Sequence, residues 1–245
     1  MRNIKLTISY DGTYYHGWQC QPDLITVEET IAGTLKRIVN HTVKLYGGAR
    51  TDSGVHAMGQ VANFFTESKV DKKSLLKGLN SLLPKDIRIR DVDEVEGLFH
   101  SRYSAKSKIY VYSILNQPVG SPFYTRYAWH IPYPLDTASM NRAIKLIKGE
   151  HDFSAFKKKN EIYKRNTRNI LRTGVKKMGN LIYIFIEATG FLRYMVRNIT
   201  GTLVLIGSGR LGVDSMLDIL SSKDRNMAGP TAPAKGLFLK EICYG

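Results

Sequence analysis

Asp52 stands in the run Gly47-Gly48-Ala49-Arg50-Thr51-Asp52-Ser53-Gly54-Val55-His56-Ala57, an acid two residues after an arginine, flanked by glycines in a basic chain. A carboxylate so placed can serve as nucleophile, as base or as stabiliser of developing positive charge, provided its neighbours keep it ionised. Gly47, Gly48 and Gly54 allow backbone angles closed to other residues and a close approach by a polymer. In an extended segment Arg50 and Asp52 share a side, so the guanidinium can clamp a phosphate or hold a displaced nucleotide. Taken alone, an aspartate here more often shapes a turn through its own backbone bonds. His56, between Val55 and Ala57, reads as a packed or hydrogen-bonded residue and stays outside the catalytic set.

Tyr110 and Tyr112 fall on one face of an alternating segment, Lys106 to Leu115, where each offers a flat ring and a hydroxyl. Cross-strand packing is the plainer fate of such residues. Lys157-Lys158-Lys159, Lys164-Arg165, Arg168 and Arg172 follow Phe153 and Phe156, which combines phosphate neutralisation with a stacking platform and suggests an RNA-contacting loop. Arg88, Arg90 and Arg102 form a second basic group. Tyr10, Tyr14, Tyr15 and Trp18 either stack on RNA or build a core. No phosphate-binding glycine loop, dinucleotide fingerprint or metal-ligand cluster is present, so the expected chemistry runs on side chains alone, with no cofactor and no metal.

The elements that must position these residues follow from pattern. Ile4, Leu6 and Ile8 alternate with Lys5, Thr7 and Ser9 as a strand to Tyr10, which Asp11-Gly12 ends. Thr26 and Glu29 form a capping box before a helix to about Asn40. A strand near Thr42 to Tyr46 enters the aspartate loop and Met58 to Thr66 leaves it. Asp71 caps a helix that Pro84 stops, and Ile87 to Val95 returns as a strand. Beyond Leu115, Asp136 caps a helix through Ile147. Ile170 to Val175 and Leu181 to Ala188 form a hairpin turning at Gly179-Asn180. After Gly190 comes a helix through Phe191, Met195, Ile199 and Leu203. Val213 to Leu220 is a short helix, and Leu237 to Cys243 a closing strand. The expected class is α/β (α+β): two related lobes, residues 1–105 and 106–245, each a mostly antiparallel or mixed sheet with helices on one face, with an RNA-binding cleft between them.

Thirty-six Lys and Arg against 21 Asp and Glu leave a net charge of +15, which concentrates a polyanion and points to a nucleic acid. Cys20 and Cys243 lie far apart with no metal-binding spacing and are expected to be reduced thiols. The amino-terminal residues alternate instead of forming an apolar block, and no apolar run reaches membrane-span length, so the expected location is the cytoplasm.

Six segments in order resemble the TruA family of tRNA pseudouridine synthases. They are Tyr10-Asp11-Gly12 with Gly17-Trp18-Gln19; Arg50-Thr51-Asp52 with Gly54-Val55-His56-Ala57; Ser104-Ala105 before Lys108 to Tyr112; His151 to Phe156; Phe191 with Met195 to Ile199; and Ala234 to Leu239. Ser53 fills the family's small-residue slot. The resemblance implies a tRNA pseudouridine(38–40) synthase, an isomerase acting on the anticodon stem-loop, with Asp52 as its essential carboxylate. It also implies that Arg197 keeps Asp52 charged, that Tyr110 stacks on the base and assists loss of the C5 proton, that Leu237 lines the uracil pocket, and that the protein is a homodimer. Whether Asp52 attacks uracil, attacks the ribose carbon or removes a ribose proton stays open. Three rivals remain: a non-catalytic RNA-binding module, a synthase acting on ribosomal RNA, and a ribonuclease pairing Asp52 with His56.

Overall fold

The computed structural model describes residues 1–245. Along the chain run β1 (Arg2–Tyr10), α1 (Val27–Val39), β2 (Tyr46–Gly47), β3 (His56–Thr66), α2 (Lys72–Leu82), β4 (Ile87–Val95) and β5 (Ala105–Asn116). There follow β6 (Trp129–Ile131), α3 (Thr137–Lys145), β7 (Gly149–Asp152), β8 (Thr167–Met178), β9 (Leu181–Ala188), α4 (Met195–Gly207), α5 (Ser215–Ser222) and β10 (Leu237–Tyr244). The class is mixed α/β, with strands that pair mostly antiparallel. No helix is long and apolar enough to cross a membrane.

The chain divides into two compact units: residues 1–106 with 238–245, and residues 107–237. In the first, β1 lies between β3 and β4, antiparallel to both; β3 also takes β2 antiparallel and β10 parallel. Ile4, Leu6 and Ile8 are buried while Lys5, Thr7 and Ser9 are only half-covered, the two faces that strand alternation demands. Each fully buried aliphatic side chain contributes about 1.5–3 kcal/mol. Thr26 caps α1 by accepting the Glu29 N–H, and Asn40 ends it in the left-handed conformation. Asp71 caps α2 by accepting from Ser74, and Leu83, extended before Pro84, closes it.

In the second unit β5, β9, β8 and β7 pair antiparallel in that order, and β6 runs parallel to β5. Asp136 caps α3 by accepting from Ala138 and Ser139. Gly179, at φ 58°, makes the β8–β9 turn.

Several boundaries differ from expectation. The strand expected over Thr42–Tyr46 pairs only at Tyr46–Gly47; Val43 and Leu45 are buried without joining a ladder. β3 begins at His56 because His56 and Ala57 pair with Phe238 and Leu239 of β10. β8 extends back to Thr167, where it meets β7, a short polar strand the pattern did not announce. α4 starts at Met195, not at Phe191, because Tyr194 sits at φ 66°, which no helical residue adopts.

Candidate active site

In the first unit, the loop from β2 to β3 carries Arg50 and Asp52, and hydrogen bonds hold its backbone at several points. The Gly48 N–H donates to the Val61 carbonyl at 2.7 Å. Ala49 is held on both sides by the buried Gln60 side chain, which accepts its N–H at 3.1 Å and donates to its carbonyl at 2.7 Å. The hydroxyls of Thr51 and Tyr10 lie 2.7 Å apart, and the Thr51 carbonyl accepts the Trp18 N–H at 3.1 Å. Burial pushes the Tyr10 phenol well above its ordinary pKa, so it remains a neutral hydrogen-bonding group. The Val55 N–H returns to the Asp52 carbonyl at 3.1 Å, closing a turn in which Gly54 takes φ 74°. Asp52 is half-exposed and Arg50 exposed.

Residues 10–18 press against this loop from behind. A Cβ on Gly12 would stand 2.0 Å from the Val55 carbonyl oxygen, and one on Gly17 would stand 2.7 Å from that of Thr51. Only glycine permits such an approach. Tyr10, Tyr15 and Trp18 are buried here as core, whereas Tyr14 is exposed, so the aromatic cluster builds the fold. His56 is 2% exposed and stacks on Phe238 with ring centres 4.7 Å apart. Its Nδ1 lies 3.1 Å from both the Gly12 N–H nitrogen and Asp11 Oδ1. Accepting from Gly12 requires a bare Nδ1 and donating to Asp11 a protonated one, so the two contacts are alternatives of tautomer or charge. His56 is thus a packed, hydrogen-bonded residue, as its neighbours suggested.

In the second unit Tyr110 and Tyr112 share a face of β5. Tyr110 is 7% exposed and meets Phe191 edge-on, with ring centres 4.9 Å apart. The Tyr112 hydroxyl donates to the Pro233 carbonyl at 2.7 Å, and burial raises its pKa. Arg197, in the first turn of α4, donates from Nε to the Ala232 carbonyl at 2.7 Å, and its own carbonyl accepts the Ala232 N–H at 3.1 Å. Its guanidinium lies 4.7 Å from the centre of the Tyr194 ring. The left-handed turn at Tyr194 holds the ring there; such a φ is strained for an aromatic residue and persists because the surroundings fix it.

The loop before Leu237 is locked down by groups the motif reading did not single out. Asn198 donates to the carbonyls of Phe156 and Lys157, while its Oδ1 accepts from Thr231 at 2.7 Å and Arg225 at 3.0 Å. Asn198 lay within the quoted Met195–Ile199 segment, but Arg225 carried no local signal. Gly201 packs so closely that an added Cβ would stand 1.7 Å from the Pro230 carbonyl oxygen. The same segment then passes the Tyr112 ring at Gly236 and reaches Leu237, which is buried.

One expectation fails. Phe153 and Phe156 are fully buried and form no stacking platform; they anchor the turn at 154–156, whose exposed continuation carries Lys159. Arg165 and Arg172 of the same basic stretch are paired with Glu150 and Glu187. The predicted site residues therefore fall into two sets: Asp52 and Arg50 on one loop of the first unit, and Tyr110, Arg197 and Leu237 in the second.

A family model described as tRNA pseudouridine synthase matches residues 6–104 and 143–245. The chain is 46% identical over 244 residues to tRNA pseudouridine synthase A of Thermoanaerobacter sp. (strain X514), covering all of both chains. It is 43% identical over 244 residues to that of Acetivibrio thermocellus, again covering all of both. With tRNA pseudouridine synthase A 2 of Protochlamydia amoebophila it shares 44% over 248 residues, all of this chain and 95% of the relative. Matched along its whole length and carrying the arginine–threonine–aspartate loop intact, the chain belongs to the tRNA pseudouridine synthase family.

Proposed function

We propose that this protein is an isomerase converting uridine in tRNA to pseudouridine, with Asp52 as the essential carboxylate. The observation that carries the reading is full-length identity of 46% to a tRNA pseudouridine synthase A. The braced loop that presents a half-exposed aspartate beside an exposed arginine supports it. In the reaction the bond between ribose C1′ and uracil N1 breaks, the ring turns, and a bond forms from C1′ to C5. The C5 proton leaves and N1 gains one, so atoms and electrons balance within the nucleoside. Redox state is unchanged, and no energy donor is consumed.

Within this reading Arg197 is the cation that keeps Asp52 ionised, since an adjacent positive charge lowers a carboxyl pKa. Tyr110 stacks on the base and assists loss of the C5 proton, Leu237 lines the uracil pocket, and Arg50 holds a displaced nucleotide or a phosphate. The target uridine is extruded from its stack before reaction. The finer assignment, to positions 38–40 of the anticodon stem-loop, to a homodimer and to the cytoplasm, follows the family resemblance.

The test is Asp52→Ala. The variant should bind unmodified tRNA as the parent does and form no pseudouridine; retained turnover would refute the assignment. RNA length on a gel separates the reading from a ribonuclease, because isomerisation leaves the chain intact.

A further inference from the structure

Residues 96–104, which join β4 to β5 in the first unit, expose apolar and cationic side chains from a backbone that is fixed. Tyr103 is 76% and Leu98 95% exposed. Yet the His100 N–H donates to Ser104 Oγ at 3.0 Å, and the Ser104 N–H returns to the His100 carbonyl at 2.9 Å. Ser101 is fully buried between them. Its N–H and hydroxyl both donate to Asn63 Oδ1, at 2.9 and 2.8 Å, and its carbonyl accepts the Tyr244 hydroxyl at 2.6 Å. Asn63 in turn donates to Asn3 Oδ1 at 2.9 Å. A buried polar network therefore rigidifies a turn whose tip faces solvent.

Two rings of that turn and Tyr46 of β2 follow one another as a ladder of tilted contacts. The Tyr103 and His100 centres are 4.4 Å apart and those of His100 and Tyr46 5.1 Å. Cations close both ends: Arg102 lies 5.7 Å from the Tyr103 ring centre and Lys44 5.3 Å from that of Tyr46. An exposed tyrosine gains nothing for the core, and a merely solvated surface needs no such anchoring. Flat rings flanked by positive charge suit a nucleobase and its phosphates, since every base has a π-face and stacking tolerates sequence. The net charge of +15 favours the same partner.

We propose that the Lys44–Tyr46–His100–Tyr103–Arg102 ladder is a stacking platform for an unpaired nucleotide of the substrate RNA, with Tyr103 receiving the base and Arg102 and Lys44 meeting adjoining phosphates. The proposal rests on the tRNA-modifying function and adds a binding subsite to it. The platform is coupled to the aspartate loop: the Ser101 carbonyl oxygen would stand 3.0 Å from a Cβ on Gly48. From Gly48 the chain reaches Asp52 in four residues, at most about 14 Å.

The experiment compares full-length parent, Tyr103→Ala, Tyr103→Phe and Arg102→Ala for affinity to an unmodified tRNA transcript across a salt series, and for pseudouridine formation. Tyr103→Ala should weaken binding roughly 5- to 150-fold, the range for losing one stacked base. Its salt slope should stay at the parental value, KM should rise, and kcat at saturating tRNA should hold. Tyr103→Phe should restore affinity, and Arg102→Ala should reduce the salt slope by about 1. Parental affinity in Tyr103→Ala overturns the platform, as does unchanged affinity with altered sedimentation, which marks a protein contact. A parent that makes no pseudouridine while Tyr103→Ala still loses RNA affinity defeats the proposed function and upholds the platform.

Discussion

Replacing Gln60 by leucine isolates the bracing of the aspartate loop from its chemistry. Leucine nearly matches glutamine in size, so the change opens little cavity, yet it removes both hydrogen bonds to Ala49, at 3.1 and 2.7 Å. Ala49 is itself buried, so its N–H and carbonyl are left without water as well as without a partner. Each orphaned buried group costs about 1–3 kcal/mol, giving about 2–6 kcal/mol for the pair. In a protein of this size about 1 kcal/mol shifts Tm by 2–4 °C, so the midpoint should fall by at least about 4 °C in scanning calorimetry. Turnover should fall with it, because Ala49 leads directly into Arg50 and Asp52. Uridine labelled with tritium at C5 reports turnover as released label, since that hydrogen departs when C1′ bonds to C5. A Gln60→Leu protein with parental midpoint and parental release rate would show that these two bonds do not hold the loop.

Two further outcomes are expected. Gly201→Ala should destabilise the protein by several kcal/mol and depress turnover, because its Cβ would fall 1.7 Å from the Pro230 carbonyl oxygen and push the 229–236 segment off α4, where Arg197 holds Ala232; parental Tm and activity would contradict that packing. The Ser107 hydroxyl, foremost, and then Arg172 hold the Glu187 carboxyl below the usual glutamate pKa, so its stabilisation is present above about pH 4.3 and is lost as pH falls through the lowered folded value. The parent should therefore lose more Tm than Glu187→Gln between about pH 5 and pH 3, and parallel curves would refute the linkage.

Local chemistry made much of the fold legible. Thr26, Asp71 and Asp136 each cap the helix their side-chain oxygens announce, and the alternation of Ile87 to Val95 marks β4 at its observed limits. Alternation reports burial, however, not pairing: Val43 and Leu45 are buried as their spacing implies, although their backbone joins no strand. β7, with the sequence Gly-Glu-His-Asp, has no apolar rhythm and exists because β8 offers it an edge. The start of α4 escaped because one left-handed residue, Tyr194, decides it, and an aromatic residue gives no hint of that conformation. Asp52 stood out through its glycines and arginine. Gln60 and Arg225, which brace the candidate site from distant positions, had no pattern of their own, since a buried amide or guanidinium is recognised only by the groups it meets. Phe153 and Phe156 misled because an aromatic beside lysines looks alike whether it faces RNA or the core.

β10 joins β3 in parallel, yet the ribosome makes it only after every residue of the second unit has been added to the chain. Until then the edge of β3 that β10 will cover, at His56 and Ala57 immediately after the aspartate loop, stays open, although Ala57 already pairs with Tyr10 of β1 on its other side. The nascent amino-terminal half must wait with an open sheet margin, a hazard for premature association. Completion of the sheet beside the aspartate loop is in this way tied to translation through residue 244.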